Sequence, residues 1–387
     1  MRETTDDAGG AATPATVSAS ATTPTAVPAE PLLRIEHLVV HYGAGGGPFN
    51  RSSRRIHAVE GVSLTLSAGE TVGLVGESGC GKSTTARAVV RLIEPTAGRI
   101  VVGDVDVTHL GRKALRPLRR ELQMVFQDPY GSLNPRLPIS EIIAEPLKIH
   151  GRFQKRTGRA RVDEVMSLVG LTSEYGKRYP HQLSGGQRQR VGIARALALD
   201  PKILILDEPV SALDVSIQAQ VINLLEDIQA RLGIAFLFIA HNLSVVRQIS
   251  DRVVVMYLGK VMEMGGRSQV YAHPAHPYTR ALLSAAPIAD PAAKGKRQRI
   301  TLKGDVPSPA DPPSGCVFHT RCWLREQLDN PARCVTEVPQ LVDVAGTGQS
   351  VACHFTEHTG DAIRPAAPPS TTLGTVTEPA SASAPVQ

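Results

Sequence analysis

Eight consecutive residues constrain this chain more than any others. Gly76-Glu77-Ser78-Gly79-Cys80-Gly81-Lys82-Ser83 fits the pattern G-x-x-x-x-G-K-[ST]. The apolar run Thr71–Val75 precedes it and a helical pattern follows over residues 83–92. Strand, glycine loop and helix form the opening unit of an α/β fold. Glycines let successive backbone N–H groups curl around an α- and β-phosphate, and the positive end of the following helix faces the same anion. Lys82 is then expected to reach the β- and γ-phosphates, and the Ser83 hydroxyl to ligate Mg²⁺. A glycine turn with a surface lysine would explain the glycines alone, but not the strand before and the helix after.

A partner for that loop lies 125 residues further on. The run at 203–206 is continuously apolar, as in a central parallel strand covered on both faces, and it ends in Asp207 and Glu208. Ligand sites of such sheets lie at the carboxyl ends of strands. Asp207 suits Mg²⁺, and Glu208 suits proton abstraction from a water attacking the γ-phosphate. Further strands are expected at 34–42, 62–66, 122–126, Ala235–Ala240 and Arg252–Tyr257, with helical pattern between 129 and 200 and a helix at 216–232.

Both ends are poor in large apolar side chains, so residues 1–31 and 358–387 are expected to be disordered tails. The net charge is +6. Basic clusters at 51–55, 112–120, 152–161 and 294–299 have no interleaved aromatics, so they read as solvated faces and no nucleic-acid partner is expected. The longest apolar stretch, at 234–240, is far too short to span a bilayer. With five cysteines and no leader-like apolar segment near residue 1, a reducing cytosolic setting is expected, and any membrane role must be peripheral.

Leu183-Ser184-Gly185-Gly186-Gln187 precedes a helix with Val191, Ala194, Leu197 and Ala198 on one face. A serine and two glycines at a helix N-terminus make a second anion site. Here the sequence resembles the ATP-binding cassette family. Residues 76–83, continuing into Thr84, resemble its Walker A, residues 203–208 its Walker B and residues 183–187 its signature. Ser211-Ala212-Leu213-Asp214 resembles the D-loop, His241 the switch histidine, Gln127 the Q-loop glutamine and Tyr42 the adenine-stacking aromatic. The resemblance implies a P-loop NTPase cassette, with a RecA-like core sheet and a helical signature subdomain. It also implies ATP and Mg²⁺ as ligands, Ser83, Gln127 and Asp207 around the metal, and Glu208, His241 and Gln127 as catalytic groups. A head-to-tail dimer is implied too, in which Ser184, Gly185, Gly186, Gln187 and Asp214 of one cassette close on the ATP of the other.

Phe126-Gln127-Asp128-Pro129-Tyr130-Gly131-Ser132-Leu133-Asn134-Pro135 resembles the Q-loop of the oligopeptide/dipeptide importer subfamily, which includes nickel importers. His276-Pro277-Tyr278-Thr279-Arg280-Ala281-Leu282-Leu283 and Pro313-Ser314-Gly315-Cys316 resemble that subfamily's C-terminal extension. Cys322-Trp323 departs from its usual Cys-Pro. The implied organisation is a cassette at 32–270 with its helical subdomain at about 128–199, then an extension at 271–357. The implied function is ATP-driven import of di- and oligopeptides, or of nickel, from the cytoplasmic face of the membrane. The implied partners are two permease subunits, a second identical or related cassette and, through the permeases, a solute-binding protein. The segment 127–135 is expected to receive the permeases' cytoplasmic helices, and substitution of Tyr130 or Leu133 to lower substrate-stimulated ATPase more than basal ATPase. The rival readings are a soluble cassette acting on ribosomes or DNA, for which the chain lacks a tandem cassette or long coiled coil, and a nucleotide-dependent regulator, against which Glu208 and His241 argue.

Cys316, Cys322, Cys334 and Cys353 crowd a proline-rich segment with little hydrophobic pattern. A poorly cored segment needs a staple, and disulfides are disfavoured in a reducing setting, so a four-thiolate metal centre is expected. Zinc sites commonly show paired C-x₂₋₄-C spacing, whereas these separations are 6, 12 and 19 residues. They suit a [4Fe–4S] cluster, with zinc the alternative. Some members of the resembled subfamily carry such a cluster.

Overall fold

The computed structural model describes residues 30–43, 55–128, 130–285, 299–344 and 346–359. Most of both expected tails lies outside the described residues, as do the glycine-rich loop after Gly43, Pro129, and most of the basic clusters at 51–55 and 294–299.

Two long antiparallel strands come first, β1 (Leu33–Gly43) and β2 (Arg55–Leu66). β3 (Thr71–Val75) then runs through the glycine loop into α1 (Lys82–Val89). β4 (Ala97–Val102), β5 (Val105–Asp106), α2 (Arg112–Glu121) and β6 (Leu122–Val125) follow. Three helices form the middle of the chain: α3 (Ile139–Ile149), α4 (Lys155–Leu168) and α5 (Gly185–Leu197). After them come β7 (Ile203–Asp207), α6 (Val215–Leu232), β8 (Ala235–Ala240), α7 (Leu243–Ile249) and β9 (Arg252–Tyr257). β10 (Lys260–Gly266), α8 (Arg267–Ala272) and α9 (Pro277–Ala285) lead to the short helices α10 (Trp323–Gln327) and α11 (Arg333–Thr336). The hairpin β11 (Val342–Val344) and β12 (Gln349–Val351) comes last.

These strands make two sheets, one of order β2-β1-β4-β5 and one of order β11-β12-β10-β9-β3-β8-β7-β6. In the second, β6, β7, β8, β3 and β9 are parallel. Their side chains alternate between two cores. Val75, Leu204, Leu206, Phe236, Phe238, Val253 and Val255 face the core shared with α3–α6. Leu74, Ile203, Ile205, Leu237, Ile239 and Val254 face the core shared with α1 and the smaller sheet. Burial on both faces explains why these strands read as unbroken apolar runs.

The segment beyond Tyr271 differs in composition but packs into the same body. Strand β12 extends the large sheet by pairing with β10, and Phe318 is fully buried in the first core. Its ring meets Tyr257 edge-on at 5.3 Å and lies 5.3 Å from Tyr278 and 5.7 Å from His276. The buried Glu263 carboxylate of β10 accepts the backbone N–H groups of Ala275 and His276, each at 2.9 Å, and the Gln349 amide. One side chain thereby joins β10, the start of α9 and β12.

Truncating the aromatic anchor tests this union. Phe318→Ala is expected to cost about 3–5 kcal/mol, read from the denaturant midpoint. The expected unfolding is a single transition that takes cassette and extension down together; a separate early transition for the extension would contradict it.

Candidate functional site

Parallel register determines which residues meet. Val75 pairs with Ala240, Asp207 with Ile239 and Val125 with Leu206, so β3, β8, β7 and β6 end on one edge of the sheet. The chain leaves these ends as the glycine loop, His241, Glu208 and Gln127.

Within the loop, Gly81 has φ +103°, and a Cβ there would sit 2.2 Å from the Ala58 carbonyl oxygen. A side-chain-bearing residue could hold neither that torsion nor that contact. The buried Lys82 amine donates to the carbonyls of Gly76 and Glu77, both at 2.9 Å, and so spans the loop. Cys80 is buried beneath it, while Ser78 and Gly79 are exposed at the rim and Ser83 and Thr84 are half-buried. The Ser83 hydroxyl donates to Asp207 at 2.8 Å. Burial pushes the Asp207 carboxyl above its ordinary range, an effect that the Ser83 hydrogen bond opposes.

Glu208 has φ +46°, an unusual torsion for a residue with a side chain. Its N–H donates to the Ile239 carbonyl at 3.0 Å, and its own carbonyl accepts from the Ser211 N–H and hydroxyl. The turn aims the side chain at its neighbours. Gln127 Nε2 donates to Glu208 Oε2 at 2.9 Å, and His241 Nδ1 lies 3.5 Å from the same oxygen. Lys82, Ser83, Gln127, Asp207, Glu208 and His241, separated by up to 159 residues in sequence, thus share one strand-end edge. Such an edge can take a phosphate on the loop, a divalent ion on hydroxyl and carboxylate oxygens, and a water beside Glu208.

Three other predicted groups stand apart: among the described residues no hydrogen bond or ion pair joins Tyr42, Ser184–Gln187 or Asp214 to that edge. Tyr42 lies at the exposed end of β1. Ser184 caps α5 by accepting the Gln187 N–H at 3.3 Å, while Gln187 Oε1 accepts the Ser184 N–H at 3.0 Å. Gly186 sits where a Cβ would come within 2.6 Å of Ile217, so the start of α5 lies close against α6. Asp214 occupies the N-cap position of α6.

The extension reaches the loop, which sequence reasoning missed. The Tyr278 hydroxyl accepts the Glu77 N–H at 2.9 Å, and Arg321 bonds the Glu77 carboxylate with both terminal nitrogens, at 2.7 and 3.3 Å. Sequence separations of 201 and 244 residues leave no local signal for either contact.

Cys316, Cys322, Cys334 and Cys353 converge on one cavity, which His276, Phe318, Leu324, Arg325 and Phe355 also line. Burial pushes the Cys316 thiol up to about 11 and the Cys322 and Cys353 thiols up to about 12, and raises Cys334 as well. Four thiolates on one zinc ion, at about 2.3 Å each, would stand within about 4 Å of one another. No three of these sulfurs lie within 4.8 Å of one another; among the described residues only His41, His57 and Glu60 form so tight a set. The four sulfurs are thus spread more widely than four ligands of one zinc ion. Arg325 Nε, buried and without a hydrogen-bond partner, adds a donor and a positive charge at the cavity wall, which suits an anionic centre.

Comparison with known proteins agrees with this geometry. Residues 59–211 match the ABC transporter family, and residues 262–327 match the family described as "Oligopeptide/dipeptide transporter, C-terminal region". The oligopeptide transport ATP-binding protein AppF of Bacillus subtilis is 50% identical over 332 residues, covering 86% of this chain and 99% of the relative. A probable peptide ABC transporter ATP-binding protein of Sinorhizobium fredii, y4tS, is 51% identical over 323 residues, covering 84% of this chain and 89% of the relative. Among solved structures, the dimeric post-hydrolysis ATP-binding cassette MJ0796 bound to ADP and Pi superposes with a TM-score of 0.55 at 29% identity, covering 61% of this chain and 98% of that one. With a phosphate loop, a paired Asp-Glu strand end and relatives matched over nearly their whole length, the chain belongs to the ATP-binding cassette family of ATPases, in the branch that carries the oligopeptide/dipeptide transporter C-terminal region.

Proposed function

We propose that this chain is the ATP-hydrolysing subunit of a membrane importer and energises uptake of di- and oligopeptides through separate permease subunits. The observation that carries the reading is the convergence of Gln127 and His241 on Glu208 beside the Ser83–Asp207 pair. In this reading the cassette spans residues 32–270, with its helical subdomain at about 128–199; the extension spans 271–357, and residues 1–31 and 358–387 are tails.

Each group at the strand ends has a task. Gly76, Glu77, Ser78, Gly79, Cys80, Gly81 and Thr84 shape the phosphate loop, and Lys82 exchanges its two carbonyl contacts for phosphate oxygens. Ser83, Asp207 and Gln127 hold Mg²⁺, which screens charge on the β- and γ-phosphates when bound. Glu208 takes the proton of the attacking water, and His241 orients that water toward the γ-phosphate. Tyr42 stacks on adenine. Ser184, Gly185, Gly186, Gln187 and Asp214, which make no bond to that edge among the described residues, serve the ATP of a second cassette, identical or homologous, in a head-to-tail dimer.

Permease contact is supported by a groove of about 390 Å³ beside the Q-loop, lined by Phe126, Ser132, Glu145, Ile149, His150 and Arg195 among others. Tyr130, two residues before Ser132 of that lining, is 67% exposed, its ring 3.8 Å from the Arg188 guanidinium. Leu133 is buried in the helical core, so any part it plays in coupling runs through the packing of that subdomain rather than through direct contact with a permease. No helix among the described residues is long and apolar enough to cross a membrane. In this reading the chain works peripherally from the cytoplasmic face, with two integral permeases and, through them, a solute-binding protein. Nickel import is the alternative cargo; the names of the relatives favour peptides.

The four-cysteine cavity holds a [4Fe–4S] cluster in this reading, supported by the sulfur spread and the unpartnered Arg325 nitrogen. Cys316, Cys322, Cys334 and Cys353 would hold it, and the bound group would tie together a segment whose own apolar core is small.

Two measurements follow. Glu208→Gln keeps the shape but not the basicity, so MgATP turnover by the assembled transporter is expected to fall at least about 100-fold with ATP binding retained; near wild-type turnover would remove Glu208 as the base. Anaerobic purification is expected to yield brown protein with about four irons per chain. Colourless protein with one zinc, or with no metal, would exclude the cluster.

A further inference from the structure

Resting on the ATP-binding reading of the loop, we propose that Arg321 of the extension is a positioning residue for that loop: it neutralises Glu77 and so permits a triphosphate to bind beside a carboxylate. Glu77 is the second residue of a loop that must take a polyanion, and its negative charge opposes that ligand. No cation of the cassette is bonded to its carboxylate among the described residues; Lys82 contacts only its backbone carbonyl. Arg321 supplies the missing charge in a forked contact, at 2.7 and 3.3 Å. The side chains are 9% and 26% exposed, so solvent and salt screen this pair much less than a surface pair.

The guanidinium is held in place by the packing of the extension. Arg321 ends the turn His319–Arg321, whose N–H bonds the Phe318 carbonyl at 3.0 Å, and Phe318 is locked among Tyr257, Tyr278 and His276. One terminal nitrogen also lies 3.4 Å from the Tyr257 hydroxyl. From the same aromatic cluster, Tyr278 accepts the Glu77 N–H at 2.9 Å, which turns that donor away from the phosphates. The N–H and the carboxylate of the second loop residue are thus committed to the extension, leaving the other N–H groups of the loop to the anion. Cys322 directly follows Arg321, so the thiol-lined cavity and the phosphate loop are joined through adjacent residues.

A salt bridge that only stabilises the fold and one that neutralises Glu77 for ATP behave differently in a double substitution. MgATP affinity is measured calorimetrically on the full chain, with far-UV circular dichroism confirming the fold. Arg321→Met is expected to raise the Kd for MgATP about tenfold, because Glu77 is left uncompensated next to the phosphates, while kcat at saturating MgATP stays within about twofold. Glu77→Gln alone is expected to lower the Kd about threefold, since the guanidinium charge then stands unopposed beside the loop. The double variant should return to within about threefold of wild type. An unchanged Kd in Arg321→Met, or a loss that Glu77→Gln does not recover, would overturn the positioning role. If Arg321→Met does not fold, Glu77→Gln decides alone: tighter MgATP binding supports the role and weaker binding overturns it. Failure of the wild-type chain to bind MgATP would instead overturn the ATPase reading beneath it.

Discussion

Parallel pairing of β7, β8 and β3 is the constraint on which the site depends. Hydrogen-bonded strands of equal direction bring their carboxyl ends to one edge, and the pairs Val75↔Ala240 and Asp207↔Ile239 fix that edge to the residue. A slip of one residue would reverse which side chains enter each core, because alternate positions in these strands face different cores. The energy that sets the register is therefore hydrophobic and lies in Leu204, Leu206, Phe236, Phe238 and their opposites, not in the polar groups at the ends. Those groups are placed by a sheet whose stability does not need them, which leaves them available for chemistry.

The edge so formed carries three carboxylates at a site read as binding an anion, and each is managed differently. Asp207 is buried with its charge opposed by desolvation and eased by Ser83, a state that favours uptake of a cation. Glu208 is held by Gln127 and His241 in a strained backbone turn; strain of this kind costs of order 1–3 kcal/mol and persists where the surroundings fix it. Glu77 has no task for its charge, and Arg321 cancels it from outside the cassette. Different burial and pairing, rather than different residue types, separate the roles.

Much of this was legible before any fold was known. The glycine loop, the Asp-Glu strand end and Ser184–Gln187 are each short motifs whose chemistry depends on local spacing, Gln127 and His241 stood out only through the family resemblance, and continuous apolar runs revealed the central strands. That Leu133 points inward while Tyr130 and Asn134 are exposed was not legible, because short turns carry no periodicity to show which side chain is buried. The contacts of Tyr278 and Arg321 with Glu77 were invisible for another reason: they join segments over 200 residues apart, and nothing in the local pattern of either predicts the other. Composition marked the change after Tyr271, yet composition records what a segment is made of and not what it packs against.

That distinction bears on why the extension is built as it is. Its apolar content is small, and its largest anchors, Tyr278 and Phe318, are buried in the cassette core rather than in one of its own. A segment so anchored would be positioned only as well as its own loops are, unless something fixed them. The four thiols converge from a turn, two short helices and the strand end after β12, which are the parts that need fixing relative to one another. Thiols raised by burial, to about 11 and 12 in three cases, are protonated near neutrality, so without a metal they contribute little more than packing. Bound as thiolates, they would tie the loops that present Arg321. Rigidity at the cavity and charge balance at Glu77 are then one property of the extension, passed through the bond between residues 321 and 322.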